Sequence, residues 1–140
     1  MNVALMVGKK VKGRKRHIVT DTMGNILSVF VHAANIHDTM SGIIPATIAC
    51  KKYKDLKGFC ADAGYKKTFE DDVVYGLKLK VDISERIKPA FEILLKRWVI
   101  ERTFGWLNNS RRLAKDYEIT TSSAETMIRI SHIHTLLKKL

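Results

Sequence analysis

Residues 17–31 read HIVTDTMGNILSVFV, and this stretch decides the fold of the chain. Two runs rich in β-branched residues, 17–21 and 26–31, flank the triplet Met23-Gly24-Asn25. Gly24 can adopt the positive φ that a tight turn between paired strands requires. The pattern therefore predicts a β-hairpin of two antiparallel strands.

The sequence after this hairpin alternates between helical and strand spacing of its apolar residues. Pro45 delays or kinks the first helix, and Gly76 is placed to close the second. In chain order the predicted elements are a helix over 38–53, a strand over 57–62, a short helix over 68–76, a strand over 77–83, a long amphipathic helix over 90–108 and a last helix from about residue 122. Strands joined by helical crossovers predict a three-layer α/β domain with a mixed sheet.

Length and composition indicate one domain with one core. The chain has 140 residues, of which 46% are hydrophobic, and this is enough to bury a single core. We expect the domain to cover residues 17–140, preceded by a basic segment at residues 1–16. The two cysteines, Cys50 and Cys60, form neither a disulfide framework nor a zinc motif, which fits a reducing cytoplasmic setting.

The charge of the chain points to an anionic partner. Lys and Arg number 25 against 14 Asp and Glu, a formal net charge of +11, and such an excess repels itself unless an anion compensates. No apolar run of about 18 residues is present, so the sequence predicts no membrane partner. Nucleic acid is the expected partner.

Two groups of basic residues are candidates to contact phosphates. The first lies in a glycine-containing stretch with no acid, and the second follows the long helix. We predict a phosphate-contact surface made of Lys9, Lys10, Lys12, Arg14, Lys15, Arg16, Arg111, Arg112 and Lys115. A solvated charged face is the alternative interpretation.

Two acidic residues are candidates to bind a ligand or a metal ion. Asp62 ends an apolar strand, where open α/β sheets place ligand-binding side chains, although a turn or helix cap explains it equally well. Glu101 lies beside apolar residues of the long helix, one turn after Arg97. The pair is either an ordinary helix ion pair or an arginine that orients a metal-binding carboxylate. The residues alone leave both alternatives open.

Six blocks of sequence, in this order and spacing, resemble the insertion-sequence-five group of DDE transposases. The resemblance covers residue 8 to the end of the chain. The blocks are Gly8-Lys-Lys-Val-Lys-Gly-Arg-Lys-Arg-His17, Asp21-Thr-Met-Gly24, Val31-His-Ala-Ala-Asn-Ile-His-Asp38, Ala61-Asp-Ala-Gly-Tyr65, Arg97-Trp-Val-Ile-Glu-Arg-Thr-Phe-Gly-Trp-Leu107 and Arg111-Arg-Leu-Ala-Lys-Asp-Tyr-Glu118.

The resemblance implies a ribonuclease H-like fold in which three carboxylates bind two magnesium ions for DNA strand cleavage and transfer. By position, Asp62 resembles the second acid and Glu101 the third, with Arg97 supporting Glu101. Carboxylate oxygens suit this chemistry because magnesium prefers hard oxygen ligands and two such ions stabilise the attacking and leaving oxygens.

The chain departs from the family pattern at the first acid. That acid normally precedes the basic segment, but residues 1–7 contain no Asp or Glu. We therefore expect an N-terminally truncated domain whose first strand is missing or replaced by residues 3–7. The second hairpin strand ends at His32 on the same sheet edge as Asp62, so Asn35 and Asp38 of the loop 32–38 are candidates to support the site, with a helix cap as the alternative for Asp38. Leu94 and Asn108 also depart from the group's signature.

These observations predict a transposase catalytic-domain fragment that takes part in DNA transposition by magnesium-dependent strand cleavage and transfer and is inactive alone. The alternative is a non-catalytic fragment that binds DNA or interferes with full-length transposase. Transposon ends and target DNA are the expected partners, together with self-association or pairing with full-length transposase. The expected location is the bacterial cytoplasm, at the nucleoid.

Overall fold

A computed structural model describes residues 3–11, 13–37, 41–84 and 95–140. The strands in these ranges are β1 (Val3–Val11), β2 (Arg14–Thr20), β3 (Ile26–Ala33), β4 (Gly58–Asp62) and β5 (Lys80–Ser84). The α-helices are α1 (Ile43–Lys52), α2 (Thr68–Asp71), α3 (Leu95–Asn108) and α4 (Thr121–Leu137). Short 3₁₀ turns cover Ala63–Tyr65 and Arg111–Leu113, and a π-type turn covers Asp72–Leu77.

The strands form one mixed sheet in the order β3-β2-β1-β4-β5. β1 pairs antiparallel with β2, which pairs antiparallel with β3. β4 runs parallel to β1, and β5 runs parallel to β4. The carboxyl ends of β1, β4 and β5 therefore meet at one edge of the sheet. The predicted α/β architecture, a mixed sheet with helices on its faces, is confirmed.

The predicted hairpin is formed by β2 and β3. Gly24 lies in the turn with φ +87°, and a Cβ atom there would lie 2.7 Å from Thr103 Oγ1 of α3. The Asp21 carboxylate closes the turn by accepting hydrogen bonds from the backbone N–H groups of Met23 and Asn25 at 2.8 and 2.9 Å. Glycine is needed at residue 24 both for its φ and for the close approach of α3.

The start of the chain differs from the expected basic segment. Residues 3–11 form the central strand β1, which pairs with β2 from Leu5 to Val11 and with β4 from Val3 to Met6. Residues 14–16 belong to β2. The first strand position is therefore filled, as the expectation of a replacement strand allowed, but the strand is longer than residues 3–7. The apolar run before residue 8 suits this place because a central strand is buried on both faces.

Each face of the sheet carries its own core cluster. One cluster joins the sheet to α1, α2 and the turns around them, and its residues include Ala4, Met6, Val19, Ala46, Ala49, Phe59, Ala61, Tyr65, Phe69 and Val73. The other joins the sheet to α3 and α4, and its residues include Leu5, Ile18, Val29, Val31, Cys60, Ile100, Phe104, Leu107, Leu113, Ala124 and Ile128. Adjacent residues of β1 alternate between the two clusters, as strand geometry requires.

The expected helix start at residue 38 lies outside the described residues, and α1 covers Ile43–Lys52, so that Pro45 lies in its first turn, where its missing N–H costs nothing. The short helix continues through a π-type turn and closes at Lys78, with φ +55°, instead of at Gly76. The extra residues of the wider turn shift the left-handed closing position along the chain and delay the start of β5.

α4 covers the sheet edge formed by β3. Thr120 caps the helix by accepting a hydrogen bond from Ser123 N–H at 3.1 Å. Glu125 of this helix accepts from Val31 N–H at 3.0 Å, and His132 Nε2 accepts from Ile26 N–H at 3.1 Å. Side chains of α4 thus satisfy backbone donors that an edge strand would otherwise leave open. Burial is the main cause that lowers the pKa of His132, and Lys139 adds to it while Asp21 opposes it.

No helix within the described ranges is long and apolar enough to span a membrane.

Candidate acid site and basic surface

Asp62 is the last residue of β4 and lies at the edge where the parallel strands end. Its Oδ1 atom accepts a hydrogen bond from Gly64 N–H at 3.0 Å and caps the 3₁₀ turn Ala63–Tyr65. The residue is exposed. Capping and ligand binding are therefore compatible, because the cap fixes the orientation of a carboxylate that solvent can reach.

The register of β1 against β4 identifies the residue beside Asp62. Met6 of β1 pairs with Ala61 of β4, and Val7 and Asp62 are the next residues along these parallel strands. The central strand therefore brings position 7 next to Asp62 at the carboxyl edge. A valine occupies this position.

Glu101 lies on α3, which packs on the sheet face that carries Leu5 and Cys60. Its neighbour Ile100 packs in one cluster with Leu5 of β1 and Cys60 of β4, two residues before Asp62. Glu101 itself is exposed. α3 packs against β1, and the residues that follow Glu101 contact the β2–β3 turn, where Thr103 Oγ1 donates to Gly24 O at 3.2 Å. A shared metal site of Asp62 and Glu101 stays a prediction.

The structure describes only some of the residues that were predicted to support the two acids. Arg97 lies in the first turn of α3, one turn before Glu101, and its side chain is outside the described part of the structure. Asn35 is exposed in the loop after β3. Asp38 lies outside the described residues. Across the described ranges, no group of three or more His, Cys, Asp or Glu side chains is arranged to hold a metal ion.

Arg14 is engaged inside the protein and not on the predicted phosphate surface. Its Nη1 atom donates to Asp116 Oδ2 at 3.2 Å and to Glu118 O at 2.9 Å, and its Nη2 atom donates to Ile119 O at 2.8 Å. These contacts fix the segment that leads into α4. The planar guanidinium suits this role because it can serve several acceptors at once.

Arg16 also departs from the predicted phosphate surface, because it is buried with 6% of its surface exposed. Its Nη1 atom donates to Leu113 O at 3.0 Å. Burial lowers the pKa of Arg16 below its usual value, while Asp116 raises it and Arg14 lowers it further. The sequence could not predict this burial, because an arginine in a basic stretch has the same local pattern whether its face of the strand is covered or open to solvent.

The other predicted basic residues are compatible with a phosphate surface. Lys10, Lys15, Arg111 and Lys115 have accessible side chains, and Lys15 Nζ donates to Ile36 O at 3.1 Å. Arg112 pairs with Glu118 at 2.7 Å while half exposed. Lys12 and the side chain of Lys9 lie outside the described part of the chain. Phosphate contact by these residues stays a prediction.

A buried histidine pair lies on the opposite face of the sheet and was not predicted. His17 Nε2 and His32 Nε2 are 2.7 Å apart, and His17 Nδ1 contacts the Tyr65 hydroxyl. His32 Nδ1 lies 2.7 Å from Ala33 O and must donate there, because a carbonyl only accepts. With neutral rings, His17 Nε2–H then donates to His32, and Tyr65 O–H donates to His17 Nδ1.

Gly8 of β1 makes room for this histidine pair. It pairs with His17 in the sheet register, and a Cβ atom on residue 8 would lie 2.8 Å from the His17 ring and 3.0 Å from the Tyr65 hydroxyl oxygen. Tyr65 follows the Asp62 turn directly. The network therefore ties the three adjacent strands β1, β2 and β3 to the turn that carries the acid. The only signal in the sequence is the spacing of a glycine and two histidines, which becomes meaningful once the strand register is known.

Comparisons with known proteins support one family. The family model of the transposase DDE domain matches residues 7–136. A transposase for the insertion sequence element IS402 of Burkholderia cepacia is 31% identical over 115 residues, which cover 76% of this chain and 54% of that protein. The chain thus spans about half the length of this curated relative.

The fold is similar to that of a solved integrase domain. The catalytic core domain of BIV integrase matches with a TM-score of 0.65 at 10% sequence identity, covering 94% of this chain and 81% of that domain. At this identity the match concerns the fold alone. It confirms the ribonuclease H-like arrangement of a mixed sheet with flanking helices.

Proposed function

This chain belongs to the transposase DDE domain family, and from that premise we propose that it binds DNA in transposition with Asp62 and Glu101 as two of the family's three acids. The observation that carries this proposal is the arrangement of β4 and α3. β4 ends in Asp62 at the carboxyl edge of the sheet, and α3, which carries Glu101, packs against the neighbouring strand β1. Membership in the insertion-sequence-five group stays a finer prediction.

The described residues fit a divalent metal only in part. Asp62 and Glu101 offer carboxylate oxygens, which magnesium prefers. A two-metal site needs more ligands, and among the described residues no third His, Cys, Asp or Glu joins such a cluster. The side chain of Val7, the β1 residue beside Asp62, has no oxygen to contribute. We therefore propose that this chain does not cleave DNA by itself.

Introducing a carboxylate at residue 7 tests this proposal. We expect Val7→Asp to create magnesium-linked stabilisation, because a third carboxylate next to Asp62 supplies the missing ligand. A ligand that binds only the folded state at ten times its Kd stabilises by about 1.4 kcal/mol. The measurement is the Tm with and without magnesium, in the unaltered chain and in the variant.

Val7→Asn is the matched control, since it has nearly the same shape without the charge. Magnesium should leave its Tm unchanged, and adding Asp62→Asn to Val7→Asp should remove the gain. An equal magnesium response in Val7→Asp and Val7→Asn would show that position 7 is not part of an acid site. Magnesium-dependent nicking of labelled double-stranded DNA by the unaltered chain would overturn the proposed inactivity.

DNA binding is expected to depend on the basic stretch around the β1–β2 turn. Replacing Lys9, Lys10 and Lys12 with Ala should lower the slope of log affinity against log salt by about 0.9 for each phosphate that the variant no longer neutralises. Fluorescence anisotropy on a duplex of random sequence, measured over a salt series, gives this slope. Asp62→Asn is the control and should leave the slope nearly unchanged.

An unchanged slope and affinity in the lysine variant would contradict this assignment. The phosphate surface would then have to be sought around Arg111, Arg112 and Lys115.

The second candidate function is that of a non-catalytic DNA-binding fragment that interferes with full-length transposase. The valine beside Asp62 favours it. Its partners would be transposon ends, target DNA, a second copy or full-length transposase, at the nucleoid of a bacterial cytoplasm. Inhibition of a full-length relative's strand transfer by added chain, abolished in the lysine variant, would support it.

A further inference from the structure

A basic cleft lies between the end of α3 and the last turns of α4. Its volume is about 410 Å³, and its walls include Arg111, His134, Lys138 and Lys139. No Asp or Glu is among the described residues that line it. Asn109 and Ser110 add polar side chains that can donate hydrogen bonds. The composition of the walls is that of a site for an anion.

This cleft is at the opposite end of the sheet from Asp62. α4 runs antiparallel to β3, because Glu125 contacts Val31 and His132 contacts Ile26, so its last turns lie near the β2–β3 turn. α3 reaches the same turn, where Arg102 Nη2 donates to Met23 O at 2.9 Å. β2 runs antiparallel to β4, which places this turn away from the carboxyl end of β4. The cleft is therefore separate from the acid site.

Trp106 forms a wall of the cleft and lies beneath two cations. The Arg102 guanidinium is 4.7 Å from its ring centroid, and Lys139 Nζ is 3.5 Å from it. Two positive groups around one ring repel each other, and a bound anion would relieve that repulsion. Because cations already cover the ring, it is not available for stacking on a base. The chemistry therefore favours recognition of phosphate over recognition of bases.

Helix capping alone does not account for these charges. Lys138 and Lys139 follow α4 and offset the partial charge of about −0.5 at its C-terminus. Arg111 belongs to a different element, the 3₁₀ turn after α3, yet it lines the same cleft. Three formal positive charges exceed half a negative charge, so the cleft stays positive after the helix end is neutralised.

We infer that this cleft binds phosphate groups of a DNA backbone and forms a second DNA contact at the far end of the domain. The inference rests on the proposed DNA-binding function and adds to it. A duplex that follows both surfaces would contact the protein near the β1–β2 turn and again between α3 and α4.

The test compares two lysine variants with the same change of charge. Lys138→Glu removes a cleft cation, whereas the exposed Lys54 follows α1 on the other sheet face, so Lys54→Glu is the matched control. On a labelled duplex of random sequence, Lys138→Glu should lower the log-log salt slope by about 0.9, and Lys54→Glu should leave it unchanged. An equal decrease of the slope in both variants would show that the effect comes from net charge alone, and it would overturn the proposal that the cleft contacts DNA.

A second readout separates the cleft from the basic stretch near residue 10. In a Trp98→Phe background the remaining tryptophan, Trp106, should change its fluorescence when the duplex displaces Lys139 from the ring. This response should survive replacement of Lys9, Lys10 and Lys12 and disappear in Lys138→Glu. A duplex that binds without any Trp106 response overturns the cleft but leaves the proposed function standing, whereas no duplex binding overturns both.

Inorganic phosphate distinguishes a backbone site from a site for a free anion. At equal phosphate concentration it should give less than a tenth of the fluorescence change that the duplex gives. A saturating response to inorganic phosphate that the duplex cannot displace would assign the cleft to a small anion and overturn the DNA contact.

Discussion

Replacing Arg14 with Ala is expected to lower the free energy of unfolding by about 3–5 kcal/mol, the range observed when one partner of a buried ion pair is removed. The side chain of Asp116 is only 4% exposed, and Arg14 is its ion-pair partner at 3.2 Å. The variant leaves that carboxylate in a poorly hydrated place. It also removes the donors that hold the carbonyls of Glu118 and Ile119. Urea unfolding followed by circular dichroism measures the decrease.

Arg112→Ala is the matched control. Arg112 pairs with Glu118 at 2.7 Å but is 52% exposed, so its ion pair is screened and its removal should cost about 0–1 kcal/mol. The comparison separates an internal arginine from a surface arginine in the same region of the chain. If Arg14→Ala costs as little as Arg112→Ala, the Arg14 contacts are dispensable. Arg14 would then again be a candidate to contact phosphate.

The hairpin was predictable because its information is local. A glycine between two β-branched runs specifies strand, turn and strand, and the structure confirms all three between Arg14 and Ala33. The central strand was harder to predict, since its partners β2 and β4 lie on either side of it and β4 is distant in sequence. The apolar run of residues 3–7 predicts that the strand is buried, but it does not predict which strands pair with it.

The candidate site was less predictable from the sequence than the hairpin was. The apolar strand ending in Asp62 suggested a ligand position, but only the family resemblance distinguished Asp62 and Glu101 from a cap and a helix ion pair. Arg14 and Arg16 could not be assigned, because the acceptors that occupy them are about 100 residues away in the chain, at 113–120. Such contacts depend on how α3 and α4 close over the sheet.

The buried histidines connect the fold to the acid site. Gly8, His17 and His32 lie on three adjacent strands, and Tyr65 belongs to the turn that Asp62 caps. We expect the loss of a hydrogen bond in this network to disturb the packing of that turn. The network is therefore a test of whether the sheet and the acid-bearing turn behave as one unit.

We expect His17→Leu to lower the free energy of unfolding by about 2–6 kcal/mol. The ring is fully buried, and the variant removes the acceptor of Tyr65 O–H and the donor to His32 Nε2. Removal of a partner costs a buried polar group about 1–3 kcal/mol. Tyr65→Phe removes one hydrogen bond and keeps the ring, so its cost should be about 1–3 kcal/mol. Chemical unfolding of both single variants gives these values.

The double variant His17→Leu/Tyr65→Phe decides whether the bond between the two side chains carries these costs. Once His17 is replaced, the Tyr65 hydroxyl has no His17 acceptor, and removing that hydroxyl should relieve part of the penalty. The double variant should therefore be more stable than the sum of the single costs predicts, by about 0.5–3 kcal/mol. Additive costs would contradict the assigned hydrogen bond and reduce the effect of His17 to the packing of its ring.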